Sequence, residues 1–168
     1  QLVQNRLREL NKACNCIRCR EYGIVKRRKS VPNSALNELT LQRTDYQASG
    51  GHEIFLSYEN KEYDFLVGYL RLRKPSKLAH RKELNNGRTM IVREVRIVGE
   101  LVVKDKKPTR KGQMQHRGYG TNLMEHAERI AKQEFDCKKL AVISGIGVRD
   151  WFYEQEYELD GPYVSKKL

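Results

Sequence analysis

Two glycines two residues apart stand where a helix begins. Gln115-His116-Arg117-Gly118-Tyr119-Gly120-Thr121 is followed by Leu123, Met124, Ala127, Ile130 and Ala131 at helical spacing. Glycine lets a ligand approach the main chain closely. The first N–H groups of a helix lack intrahelical acceptors, and the helix dipole favours negative charge beside them. The chemistry implied is a pyrophosphate seat. The pattern Q-x-x-G-x-G matches neither the dinucleotide fingerprint nor the P-loop. The plainer alternative is a glycine turn that merely starts a helix.

A second group is Cys14, Cys16 and Cys19, spaced C-x-C-x-x-C. Three thiols this close suit zinc with a fourth ligand from elsewhere, the alternative being three free thiols. Lys12, Arg18, Arg20 and Lys26 flank them and favour thiolates. The spacing is not that of a radical S-adenosylmethionine (SAM) iron–sulfur site.

A third feature is charge. The 168 residues include 33 Lys and Arg against 21 Asp and Glu, a net charge of +12. That surplus exceeds what solubility needs and points to a polyanion, either nucleic acid or a phosphorylated cofactor. Lys26, Arg27, Arg28 and Lys29 form one basic run; Lys104, Lys106, Lys107, Arg110 and Lys111 form another. No run of about 18 apolar residues offers a membrane span, so no membrane partner is expected. The clustered cysteines do not resemble a secreted disulfide framework, which points to a reducing, cytoplasmic compartment, with the nucleus also compatible. The chain starts at Gln1 and shows no signal peptide, and the expectation is a piece of something longer.

The positioning elements follow in order. Residues 1–13 read as a short amphipathic helix. Strands are expected over 39–46, 52–58 and 65–72, then a long one over 89–103 with a bend at Gly99. The glycine turn feeds a helix to about Phe135. Strand 139–144, a short helix over 148–156 and a last strand over 157–166 complete the chain. This order is α+β (mixed α/β), not doubly wound. A linker carrying the cysteines over 1–29 and one domain over 30–168 are expected.

The element order with Q-x-x-G-x-G resembles the GNAT acetyltransferases, whose central sheet is mostly antiparallel with flanking helices. Several blocks narrow the resemblance to the acetyltransferase-like half of Elongator catalytic subunits. They include Cys14 to Glu21, Leu70 to Ser76, Val92 to Arg96, Gln115 to Gly120, Ala141 to Gly145 and Asp160 to Tyr163. The resemblance implies an acetyl-CoA-dependent acyltransferase that carboxymethylates the wobble uridine of tRNA. Its partners would be tRNA, a radical-SAM domain of the same full-length chain carrying S-adenosylmethionine and an iron–sulfur cluster, and other Elongator subunits. It implies zinc at Cys14, Cys16 and Cys19. Glu94, Val95, Arg96 and Ile97 would meet the acyl and pantetheine end of acetyl-CoA. Gln115, Arg117, Gly118, Tyr119, Gly120 and Thr121 would hold its pyrophosphate. Arg96 stands where the family usually has His, and Trp151 and Phe152 stand where it has a Tyr-Tyr pair. The second tyrosine is the usual candidate to protonate the departing thiolate, and phenylalanine has no proton to give. That leaves Phe152 beside the cofactor, with Tyr153 and Glu94 as the candidate catalytic groups. A protein lysine acetyltransferase and a catalytically weak tRNA-binding module that binds acetyl-CoA are the alternatives.

Overall fold

The strands between Thr40 and Ile97 form an antiparallel meander. A computed structural model describes residues 2–98 and 118–168. Three short helices come first: α1 (Leu2–Glu9), α2 (Ile17–Arg20) and α3 (Tyr22–Arg28). Strands β1 (Thr40–Ala48), β2 (Gly51–Asn60), β3 (Phe65–Lys74) and β4 (Thr89–Ile97) then pair antiparallel in sequence order. Ser49 and Gly50 both take positive φ between Ala48 and Gly51, the two-residue hairpin turn whose twist matches that of its strands.

The topology changes after β4. Helix α4 (Tyr119–Gln133) leads to β5 (Lys139–Val142), which lies parallel to β4. Helix α5 (Arg149–Tyr153) and the strands β6 (Glu158–Asp160) and β7 (Tyr163–Lys167) follow, with β7 between β5 and β6. The single strand expected over 157–166 is therefore two. Asp160 pairs with Tyr163 across Gly161 and Pro162, and Gly161 takes φ +60°. Pro162 lacks an N–H and cannot continue a ladder. The seven-stranded sheet, with β4–β5 its parallel pair, has the mixed architecture expected. Residue 99 and those up to 117 lie outside the described residues, and with them the expected bend at Gly99.

Helix α4 buries Leu123, Met124, Ala127, Ile130 and Ala131, the residues its periodicity singles out. They share one core with Ile54, Leu56, Leu70, Leu72, Met90, Val92, Leu140 and Val142 from four strands. Each fully buried Leu or Met contributes about 1.5–3 kcal/mol, so α4 is held by packing more than by helix propensity.

A second core docks the N-terminal segment. Tyr22 and Val25 of α3 pack with Val31, Ala35, Phe65 and Val67, and the Tyr22 and Phe65 rings stand 5.0 Å apart. Arg20 binds Asp64 at 2.7 Å and also reaches Glu59. The last part of the segment expected as a linker over 1–29, helix α3, thus shares a core with the sheet. Helices α2 and α3, with four and seven residues, are too short for periodicity to reveal.

Candidate active site and metal centre

The site is built where two neighbouring strands part. β4 pairs with β5 only from Thr89 to Val92, and the Ile143 N–H then donates to the Val92 carbonyl at 3.0 Å. On its other side β4 keeps pairing with β3 as far as Ile97, across an irregularity that leaves Arg93 without a registered partner. Such a bulge bends the strand. Among the described residues, Glu94 to Ile97 therefore have a strand on one edge only.

The glycine turn faces this gap. Gly118 takes φ +83° as the residue before α4, a conformation that a side chain makes costly, and no side chain caps the helix there. The Asn122 N–H closes the first helical turn on the Gly118 carbonyl at 2.9 Å. Gly120 serves differently. A Cβ on it would lie 3.5 Å from the Trp151 ring and 3.8 Å from Ile97, ordinary contact distances. The first turn of α4, the end of β4 and the aromatic of α5 thus meet at one glycine. Tyr119 packs its ring 4.9 Å from that of Tyr58, and Thr121 is half-buried. Gln115 and Arg117, expected beside them, lie outside the described residues.

The side chains of β4 divide between two faces. Val95 and Ile97 pack against the main core. Glu94 accepts a hydrogen bond from the Tyr69 hydroxyl at 2.6 Å and has Arg71 at 3.8 Å. Arg71 is directly opposite Glu94 in the ladder, and Arg96 is opposite Tyr69. Burial first, then the Glu94 carboxylate, push the Tyr69 hydroxyl up to about 12, so it remains a donor at neutral pH. Tyr69 is 4% exposed and stacked on Phe55, which fixes the direction of that bond. Glu94 is thereby an oriented carboxylate at the open end of β4. Tyr69 does not stand out in the sequence, and Trp151 does so only as a departure from the family's tyrosine pair; the cross-strand register and the fold of α5 bring the two to the site.

Phe152 and Tyr153 part company on α5. Phe152 is 2% exposed and lies between Trp151 and Tyr157 at ring distances of 4.8 and 5.7 Å. Tyr153 is 43% exposed, and among the described residues no hydrogen bond or ring contact joins it to β4 or α4.

The three thiols converge in the N-terminal segment. The sulfurs of Cys14, Cys16 and Cys19 lie within 4.8 Å of one another. Tetrahedral zinc with bonds of about 2.3 Å would place its sulfurs roughly 3.8 Å apart, so a small closure suffices and the donor set fits. The Cys19 backbone N–H and then the Cys14 thiol hold Cys16 below the usual thiol range. At Cys14 the Cys16 N–H lowers the pKa, but the two neighbouring thiols outweigh it and hold the group up. Among the described residues no His or carboxylate joins the cluster as a fourth ligand.

Lys26, Arg27, Arg28 and Lys29 are all exposed at the end of α3. Lys26 lies 5.5 Å over the Tyr22 ring and donates to Asn33 Oδ1 at 3.3 Å. Lys104, Lys106, Lys107, Arg110 and Lys111 lie outside the described residues.

A gap between β4 and β5 that ends at a glycine-started helix defines an acyl-CoA-type site. The family model of the acetyltransferase (GNAT) family matches residues 20–151, and the chain belongs to that family, whose fold implies acetyl-CoA use. Within it, the chain is 46% identical to Elongator complex protein 3 of Saccharomyces cerevisiae over 169 residues, all of this chain and 29% of that protein. It is 44% identical to a tRNA uridine(34) acetyltransferase of Methanocaldococcus jannaschii, again over all of this chain and 30% of the relative. The solved structure of the archaeal Methanocaldococcus infernus Elp3 with an N-terminal deletion superposes with a TM-score of 0.84 at 43% identity, covering 99% of this chain and 38% of that one. The chain thus spans less than a third of the length of these curated relatives.

Two outcomes test the geometry. Gly118→Ala forces a side chain into a left-handed backbone and should cost about 1–3 kcal/mol in denaturant unfolding, while Gly120→Ala should unfold like the parent. Tyr69 has a folded pKa above its unfolded value, so its contribution is complete below about pH 10 and is lost as pH rises toward the folded value of about 12. Tyr69→Phe should flatten the decline of thermal stability across that window, measured by circular dichroism.

Proposed function

We propose that this chain supplies the acetyl-CoA-binding part of an Elongator-type enzyme that modifies the wobble uridine of tRNA by carboxymethylation. The observation that carries the reading is the uncovered edge of Glu94 to Ile97, ending at the helix that Gly118 starts. A strand edge offers main-chain donors and acceptors to an extended, amide-bearing arm such as pantetheine. The positive end of α4 suits a pyrophosphate, and among the described residues nothing lies within 4 Å of where a Cβ on Gly118 would be. Bound acetyl-CoA would supply a two-carbon acyl unit as a thioester. Glu94, held by Tyr69 and Arg71, is the group placed to accept or steer a proton near it.

Cys14, Cys16 and Cys19 would hold zinc, with the fourth ligand supplied by another part of the full-length chain or by water. The radical-SAM half of that chain and further Elongator subunits would be its partners, in the cytoplasm or nucleus. The tRNA uridine named for the archaeal relative and the net charge of +12 together support tRNA as the polyanion. A second reading, a tRNA-binding module that binds acetyl-CoA without turning it over, is favoured by the burial of Phe152 and the exposure of Tyr153. Neither leaves a phenol at the gap in an observed contact.

The deciding measurement is thiol release from acetyl-CoA by this chain, alone, with tRNA and with a lysine peptide. Stimulation by tRNA is expected. Transfer to the peptide instead would favour a lysine acetyltransferase, and binding by calorimetry without turnover would favour the module. Elemental analysis should find about one zinc per chain in protein purified without chelator. Metal-free protein with three thiols open to alkylation would remove the metal assignment.

A further inference from the structure

Beside the thiol cluster is a cavity of about 200 Å³, with Cys14 and Cys19 in its wall. Its charged lining is Lys12, Arg20, Arg28, Lys29 and Asp64. These side chains come from four places in the chain: the link between α1 and α2, helix α2, the end of α3, and the turn before β3 that carries Asp64. Arg20 is neutralised by Glu59 and Asp64. Lys12, Arg28 and Lys29 have no acidic partner within 4 Å among the described residues. Three cations that pair with no carboxylate among the described residues therefore line one small concavity. The cavity is below the roughly 300–1,000 Å³ usual for whole cofactors, and its volume and lining suit a small anionic group.

We propose that this cavity is a phosphate seat that grips one backbone phosphate of the bound RNA, through Arg28, Lys29 and Lys12. The inference rests on the reading of the chain as a tRNA-modifying domain. A guanidinium fork matches two phosphate oxygens, and ammonium groups add point charge around them. The seat also divides the basic run. Arg28 and Lys29 face the cavity, whereas Lys26 lies over Tyr22 and bonds Asn33, and Arg27 is not in the lining. The four cations thus differ in role although the sequence sets them side by side. Lys12, more than a dozen residues upstream, belongs with the second pair. The lining of the seat shares no residue with Glu94 to Ile97 or with the start of α4, so one RNA can be held here while another part of it reaches the acyl site.

The test is the affinity of this chain for a transcribed tRNA, followed by fluorescence anisotropy at several salt concentrations. The variants are Lys12→Ala with Arg28→Ala and Lys29→Ala, and separately Lys26→Ala with Arg27→Ala; melting curves verify that each is folded. The triple variant should lose at least tenfold in affinity, and its slope of log affinity against log salt should fall by about 0.7–0.9, the share of one phosphate. The double variant should lose less than threefold. Arg28→Lys, which keeps the charge but not the fork, should fall between the two and serves if the triple variant unfolds. Inorganic phosphate should compete with tRNA on the parent chain more strongly than on the triple variant.

An equal or larger loss in the double variant would show a diffuse field and overturn the seat. So would parental binding in the triple variant. Stronger displacement by a polyglutamate peptide than by phosphate would assign the cavity to an acidic polypeptide. If the parent chain binds no tRNA at all, the functional reading fails together with the seat; if it binds and the triple variant matches it, the seat alone fails.

Discussion

The parting of β4 from β5 is the constraint on which the rest of the structure depends. Parallel strands cannot be joined by a tight turn, so the chain must cross the sheet between them, and α4 is the helix of that crossover. The core under α4 keeps the first halves of the two strands together. The bulge at Arg93 sends the second half of β4 away. A cleft in the plane of a sheet, closed at one end by a helix N-terminus, follows from those two facts. Gly118 is then needed because the chain must enter α4 through a left-handed residue.

The sheet face that carries Glu94 is held by charge. Glu53 is 1% exposed, and its Oε1 accepts from Arg73 at 2.6 Å and Arg93 at 2.7 Å. These three residues come from β2, β3 and β4. A buried carboxylate is costly to leave without cations, so any slip of register among the three strands is penalised strongly. Arg93 is also the bulged residue. The ion cluster thus stabilises the irregularity that opens β4, and with it the position of Glu94 one residue on. Gly51 fits the same arrangement: a Cβ there would come within 2.7 Å of the Arg73 guanidinium.

Much of this was legible in the sequence where local pattern decides the outcome. The apolar face of α4 follows from spacing, and the closeness of the three thiols from their separation of a few residues. The glycine turn marked the helix start, and the family resemblance of its flanking blocks agreed with the fold. What escaped depends on register or on packing between distant segments. The partnership of Tyr69 with Glu94 exists only because β3 and β4 pair in one alignment. Trp151 borders the site because α5 folds back on the first turn of α4, and nothing in Arg149-Asp150-Trp151-Phe152-Tyr153 says which aromatic turns inward. The basic run read as four equivalent charges, and the fold of α3 made them unequal. The last strand divides at Gly161 and Pro162, a turn whose residue types were present in the sequence inside an otherwise strand-like run.

The strand pairings also differ in how far along the chain they reach. β1 to β4 join successive neighbours, so each hairpin closes a short loop. The pairing of Thr89 with Lys139 closes a long one and carries a larger entropic cost. A chain that has made only the meander possesses β4, with Glu94 already oriented by Tyr69, yet has no cleft. The ligand seat therefore depends on the strand pairing that reaches furthest along the chain among the described residues, and occupancy by a cofactor that spans β4 and α4 would stabilise the complete fold over its partly assembled precursors.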